Sequence, residues 1–180
     1  IVTSYYTSFL EQTTSILKRF ATGNLEDVNL RRIILNSLTS AFKYDQDEYW
    51  QSQARFELVS KALLEQLVNI EDSIGKYLVR AVAALAKTAS SDEHNKDLNQ
   101  IFISHMKADC KSREKLWAVK ALKSVYEKVG DQWLTLLPQI VPIIDEHSED
   151  DSEEVEREVR SGLIKNIENV LGEPLDRYLN

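Results

Sequence analysis

Three histidines, one cysteine and two runs of like charge are the residues of this 180-residue chain whose types could carry chemistry. Cys110 has Lys107, Lys111 and Arg113 close in sequence, cations of the kind that lower a thiol pKa and favour the nucleophilic thiolate. No base partner accompanies it, so the expectation is an inert loop cysteine. None of His94, His105 and His147 has a second His or Cys at i+3 or i+4. A closed zinc site needs four convergent ligands, so no metal site is expected. There is no Gly-rich phosphate loop, nucleophile elbow or paired-His motif. The chain therefore reads as a non-enzyme, with no cofactor and no small-molecule substrate.

The acidic run 145–158 is too dense and too polar for general acid–base work, which needs carboxylates in separate, partly buried environments. Two readings of it stand. In the first it is a solvated turn whose Asp150 or Asp151 caps the next helix, while Glu153 and Glu154 complement the helix dipole. In the second, Ser148 and Ser152, each followed by acids, are targets of an acidophilic kinase. A phosphate there would add about two negative charges at a helix start, or attract an Arg-rich partner. The basic concentration is Lys107, Lys111, Arg113, Lys115, Lys120 and Lys123, around the turn of the third hairpin. It is either a solvated helix face or, through Lys107, Lys111, Arg113 and Lys115, a contact for RNA backbone or an acidic partner. No RNA-recognition motif accompanies it, which argues against specific base readout.

The elements that position these residues follow from composition and periodicity. Hydrophobic residues make up 43% of the chain, enough for a core, and only five Gly and three Pro are available for turns. Few breakers with many Leu, Ala, Glu and Lys favour helices. A single cysteine cannot form an internal disulfide, which suits a reducing compartment. No apolar run approaches the ~20 residues that span a bilayer, and no secretory signal pattern opens the chain. The chain reads as soluble and intracellular, without a membrane partner. It begins at Ile1, with Met106 its one methionine, so a fragment of something longer is expected. Residues 1–130 carry 18 Lys and Arg against 16 Asp and Glu, and residues 131–180 carry 4 against 13. The excess acidity is thus confined to the last segment, which disfavours that segment as a phosphate grip.

Apolar residues at i, i+3, i+4 and i+7 predict helices over 5–20, 28–44, 49–70 and 74–89. Further helices are expected over 98–107, from 113 to 129, over 131–147 and over 151–171. Gly23 ends the first, Asn24 or Asp27 caps the second, 90–95 is a polar loop, and Gly130 closes the sixth as a C′ residue. Gly172 and Pro174 stop the last helix, and Leu175, Tyr178 and Leu179 fold back over its apolar stripe. Eight helices in four antiparallel pairs divide the chain near 1–45, 46–91, 92–130 and 131–180. Equivalent small positions, Ser37, Ala83, Ala121 and Gly162, recur at intervals of 38 to 46 residues, close to the ~40–47 of HEAT or armadillo units. Gly162 marks a place where another helix comes near. Trp50, Trp117, Trp133 and most tyrosines have core spacing, with Tyr5, Tyr6 and Trp133 also suited to exposed anchoring. The fold class is all-α, an α-solenoid of about four HEAT-type antiparallel pairs stacked into one array.

Leu137-Pro138, Pro142, the acidic turn, Val155 and Arg157 resemble the general HEAT pattern, in which a proline-bent first helix precedes an Asp turn and a Val-Arg opening of the second. The Arg stands one place later here than in the commonest form. The runs WLTLLPQIVPII, EDDSEEVEREV and LGEPLDRYL are more specific. They resemble the C-terminus of the large HEAT-repeat subunit of the small-subunit processome, a member of its UtpA subcomplex. The likeness covers about the last third of the chain. It implies a nucleolar scaffold in pre-18S ribosomal RNA processing, with UtpA and other processome proteins and pre-ribosomal or small nucleolar RNA as partners. The alternative is a HEAT adaptor of another class, such as a nuclear transport or phosphatase scaffold.

Overall fold

The computed structural model describes residues 2–45 and 47–179, and the side chains of residues 2–7, Tyr5 and Tyr6 among them, lie outside the described set. Helices follow one another as α1 (Val2–Ala21), α2 (Val28–Lys43), α3 (Gln53–Leu64), α4 (Asp72–Thr88), α5 (Asp92–His105), α6 (Ser112–Trp133) and α7 (Leu137–His147). A last helical run comprises α8 (Glu153–Glu158), a π turn (Val159–Leu163) and α9 (Ile164–Leu171). Helices α2, α4, α6 and α9 pack in succession as one layer, and α1, α3 and α5 pack as the other. One continuous core lies between them, from Leu10 to Leu175. No strand occurs among the described residues. The architecture is the all-α, HEAT-like solenoid that the helical periodicity predicts.

Local chemistry explains where elements begin and end. Gly23 takes a left-handed φ of 77° after α1, and the Asp27 carboxylate accepts from the N–H of Leu30 at 3.0 Å to cap α2. The predicted 49–70 helix is broken in two places. Its start is pulled into a 3-10 turn (Tyr49–Gln51) because the Asp45 carboxylate accepts from the N–H groups of Tyr49 and Trp50, at 3.0 and 3.3 Å. That turn swings Trp50 edge-on against Phe42 and Tyr49. After Leu64 the chain tightens again into a 3-10 segment (Glu65–Asn69), where the buried Gln66 amide donates to the carbonyls of Leu17 and Ala62.

Two further boundaries differ from the sequence reading. Helix α5 starts at Asp92, inside the expected polar loop, because the Ser91 hydroxyl accepts from the N–H of His94 and Asp92 and Glu93 fill the first turn. Its first turn therefore contains no apolar residue for periodicity to detect. Gly130 does not end α6. The helix bends at Val129 (φ −136°, ψ 26°) and continues to Trp133, while Gly130 lets the last helix approach: a Cβ there would lie 2.6 Å from Val170 Cγ2. Gly162 does mark a close neighbour, since a Cβ at that position would meet the Lys123 stem of α6 at 3.1 Å.

The chain end partly matches expectation. Gly172 closes α9 at a left-handed φ of 78°, Leu175 is fully buried, and Leu179 packs against the core. Tyr178, expected to cover the apolar stripe, is instead exposed, with its hydroxyl donating to Glu173 at 2.9 Å. Trp50, Trp117 and Trp133 are all buried, so Trp133 is a core residue and not an exposed anchor.

Gly75, in the first turns of α4, shows how closely the second-helix layer is packed. The Trp117 indole of α6 lies flat against it, so that an added Cβ would sit 2.3 Å from a ring carbon. The same indole donates to Asp72 at 3.0 Å, which fixes its position. Ala normally improves a helix by ~1 kcal/mol over Gly, but here overpacking should dominate. Gly75→Ala is expected to destabilise the fold by about 1–3 kcal/mol, read as a fall of roughly 3–10 °C in thermal midpoint; an unchanged or raised midpoint would refute the packing.

Candidate functional site

The two charged runs that the sequence offers as separate candidate sites meet each other in the fold. Helix α6 carries the cations along the side facing the last hairpin, and the turn from α7 into α8 supplies the acids. Lys115 Nζ donates to Asp150 Oδ2 at 2.6 Å, Lys123 Nζ donates to Glu158 Oε1 at 3.1 Å, and Arg113 donates to Glu154. Arg113 also donates to Asp72 of α4, so its guanidinium joins three successive second helices.

The centre of this arrangement is Asp150. Its side chain and that of Lys115 are 5% and 8% exposed. The Asp150 carboxylate also accepts from the backbone N–H of Ser152 at 2.9 Å and lies 2.8 Å from His147 Nδ1, while His147 Nε2 faces the carbonyl of Met106. Both ring nitrogens of His147 thus face oxygen atoms. Burial alone would raise the Asp150 pKa. The hydrogen bonds from Lys115, Ser152 and His147, with the Lys115 charge, outweigh it and hold the carboxyl below the ordinary value. Neither Asp150 nor Asp151 caps α8: its N-cap is Ser152, and the Asp150 carboxylate binds the Ser152 N–H just before the helix.

The remaining candidates have other surroundings. Lys115 is buried in its ion pair and cannot reach an RNA backbone, and Arg113 is engaged on two sides. Lys107 and Lys111 are exposed. Ser148 is half-buried, with its hydroxyl donating to the Asp145 carbonyl at 2.8 Å and its own carbonyl accepting from Arg160 at 2.6 Å. Ser152 is half-buried at the start of α8. Burial, followed by the Glu114 charge, pushes the Cys110 thiol up, so the neighbouring cations do not generate a reactive thiolate. His94 stacks on Phe56 with centroids 4.3 Å apart, and burial lowers its pKa. His105 pairs with Glu114 at 2.8 Å. No group of three His, Cys, Asp or Glu residues able to hold a metal occurs among the described residues.

Sequence reasoning missed the role of His147, the Asp72 clamp on Arg113 and Trp117, and the pairing of the two charged runs. Their separations of 35 and 41 residues fall near the repeat interval, which was the one available signal.

These polar groups fasten helix pairs to one another in an all-α, HEAT-like array. A family model described as the BP28CT (NUC211) domain matches residues 1–50. Across its whole length the chain is 60% identical to the U3 small nucleolar RNA-associated protein 10 of Saccharomyces cerevisiae and to that of Candida glabrata, and 53% identical to that of Candida albicans. The likeness noted for the last third of the chain thus extends, as similarity to these relatives, through the first two thirds as well. It spans about 10% of the length of the curated relatives it matches.

Removing the Asp150 charge should expose what it neutralises. Asp150→Asn leaves Lys115 buried without a counter-charge and is expected to cost about 3 kcal/mol, or roughly 6–12 °C in thermal midpoint. Because the folded Asp150 pKa is depressed, its contribution is present above the ordinary carboxyl range and is lost as pH falls through the folded value. The gap between wild type and variant should therefore be full at neutral pH and close below about pH 4. A gap that is constant with pH would contradict the assignment.

Proposed function

We propose that this chain is a non-catalytic scaffold module from the C-terminal end of a large HEAT-repeat subunit of the small-subunit processome. In this reading it acts in the nucleolus, supporting pre-18S ribosomal RNA processing and ribosome biogenesis. The observation that carries it is the 60% identity, over the whole chain, to a protein named for its association with U3 small nucleolar RNA. The proposed array consists of four repeats near 1–45, 46–91, 92–130 and 131–180. Its partners are other proteins of the UtpA subcomplex and the processome, with pre-ribosomal or small nucleolar RNA.

The physical support is of two kinds. A stacked array offers an extended surface while each repeat is held by its neighbours, which suits a part that must hold several components in fixed positions. The polar side chains described above are consumed in holding repeats together: Arg31 with Gln66, Arg113 with Asp72 and Glu154, and Lys115 with Asp150. That is the use a scaffold makes of buried polarity.

Affinity purification of the full-length protein from cells tests this directly. Recovery of U3 small nucleolar RNA and processome proteins, with recovery reduced when residues 1–180 are deleted, is the expected outcome. Recovery of nuclear transport receptors or phosphatase subunits in their place would overturn the reading in favour of another class of HEAT adaptor.

A further inference from the structure

Besides Lys107 and Lys111 at the turn of the third hairpin, the α2–α4 layer carries exposed cations. Helix α2 contains no acidic residue, and the single acid of α4, Asp72, is held by Arg113 and Trp117. Arg32 of α2 and Lys76 and Arg80 of α4 are all exposed. Among the described residues, none of the three makes an ion pair with a carboxylate within 4.0 Å. They surround one aromatic ring. Lys76 Nζ lies 5.1 Å and Arg80 Cζ 5.8 Å from the centroid of Tyr77, and Arg32 of the adjacent helix lies near its phenol.

The Tyr77 ring is half-buried against the core, so it cannot swing away from these charges. Arg32 first, with the Lys76 and Arg80 charges, holds the Tyr77 pKa below the usual tyrosine value. Lys76 and Arg80 stand one helical turn apart, ~6 Å along the axis, with Arg32 approaching from the adjacent helix. Three like charges held this close repel one another, and a polyanion laid across them relieves the repulsion.

We propose that Arg32, Lys76, Tyr77 and Arg80 form a binding surface on the α2–α4 layer for the phosphate backbone of single-stranded RNA. This deepens the scaffold reading and rests on it for the choice of RNA as the polyanion. The chemistry also favours RNA over an acidic peptide. Cations spaced about a fixed aromatic face are what sequence-tolerant strand binding requires. Recognition is of backbone charge, without base specificity.

The test measures binding of the purified chain to a fluorescent ~20-nucleotide oligouridine between ~50 and ~200 mM salt. For a single strand each phosphate contact contributes about −0.7 to the slope of log affinity against log salt. The triple variant Arg32→Gln, Lys76→Gln, Arg80→Gln should flatten that slope by about 2, so that its affinity loss over this range is roughly 20-fold smaller than that of wild type. Lys107→Gln with Lys111→Gln should leave the slope unchanged. Circular dichroism of both variants should match wild type, because every substituted residue is exposed.

An unchanged slope in the folded triple variant overturns the surface. Binding of polyglutamate as tightly as oligouridine overturns RNA as its ligand and points to an acidic protein. If U3 small nucleolar RNA still copurifies from cells while the slope is unchanged, the surface is wrong and the scaffold reading stands. If the slope flattens while copurification fails, the surface stands and the scaffold reading is wrong.

Discussion

The ion pair between Lys115 and Asp150 is the interaction on which the last third of the structure depends. A buried pair of this kind repays its desolvation only when further hydrogen bonds satisfy the remaining atoms. Here the Ser152 N–H and His147 supply them, and His147 carries the connection on to the Met106 carbonyl at the end of α5. One carboxylate thereby fixes the α7–α8 turn against both helices of the preceding pair. With the turn fixed, Val155, Val159, Leu163 and Ile167 enter the core, and Gly162 sits over the Lys123 stem. The π turn at Val159–Leu163 lies where that contact is made.

The same device recurs along the array. Arg31 of α2 reaches the side chain and carbonyl of Gln66, the Gln66 amide reaches the Leu17 carbonyl, and the Asn69 amide reaches the Ala21 carbonyl. Farther on, Arg113 and Trp117 of α6 reach Asp72 of α4. Apolar burial stacks the pairs, but it is non-directional. Polar links from one pair to the next fix their register, and their sequence separations of 35 to 49 residues bracket the repeat interval. Charge pairing inside the array also decides what remains for partners. It removes Lys115 from the surface, occupies Arg113, and leaves positive charge unspent on the acid-poor α2–α4 face.

Much of the fold was legible because helices of a solenoid bury one stripe each, and a stripe is visible as apolar spacing. The stripe of α2, through Leu35, Leu38 and Phe42, is an example, as is the Gly172 stop of α9. Features that rest on single hydrogen bonds were not legible. The Asp45 carboxylate breaks the third predicted helix, and the Ser91 hydroxyl starts α5 within a stretch that looks like loop. Gly130 reads as a helix stop in isolation, yet its smallness serves Val170, some forty residues later. The surroundings of the candidate residues were hidden for a related reason. A lysine four residues into a polar segment looks solvated, and only the stacking register reveals that Asp150 lies opposite Lys115.

The central claim is that these two charges are coupled inside the folded chain. A double-mutant cycle with Lys115→Met and Asp150→Asn, followed by urea unfolding, measures that coupling directly. The account predicts a coupling energy of about 2–3 kcal/mol, with the double variant more stable than the sum of the single losses implies, because each single variant leaves one buried charge unpaired. Additive losses, within about 0.5 kcal/mol, would mean that the two side chains do not meet, and would contradict the account.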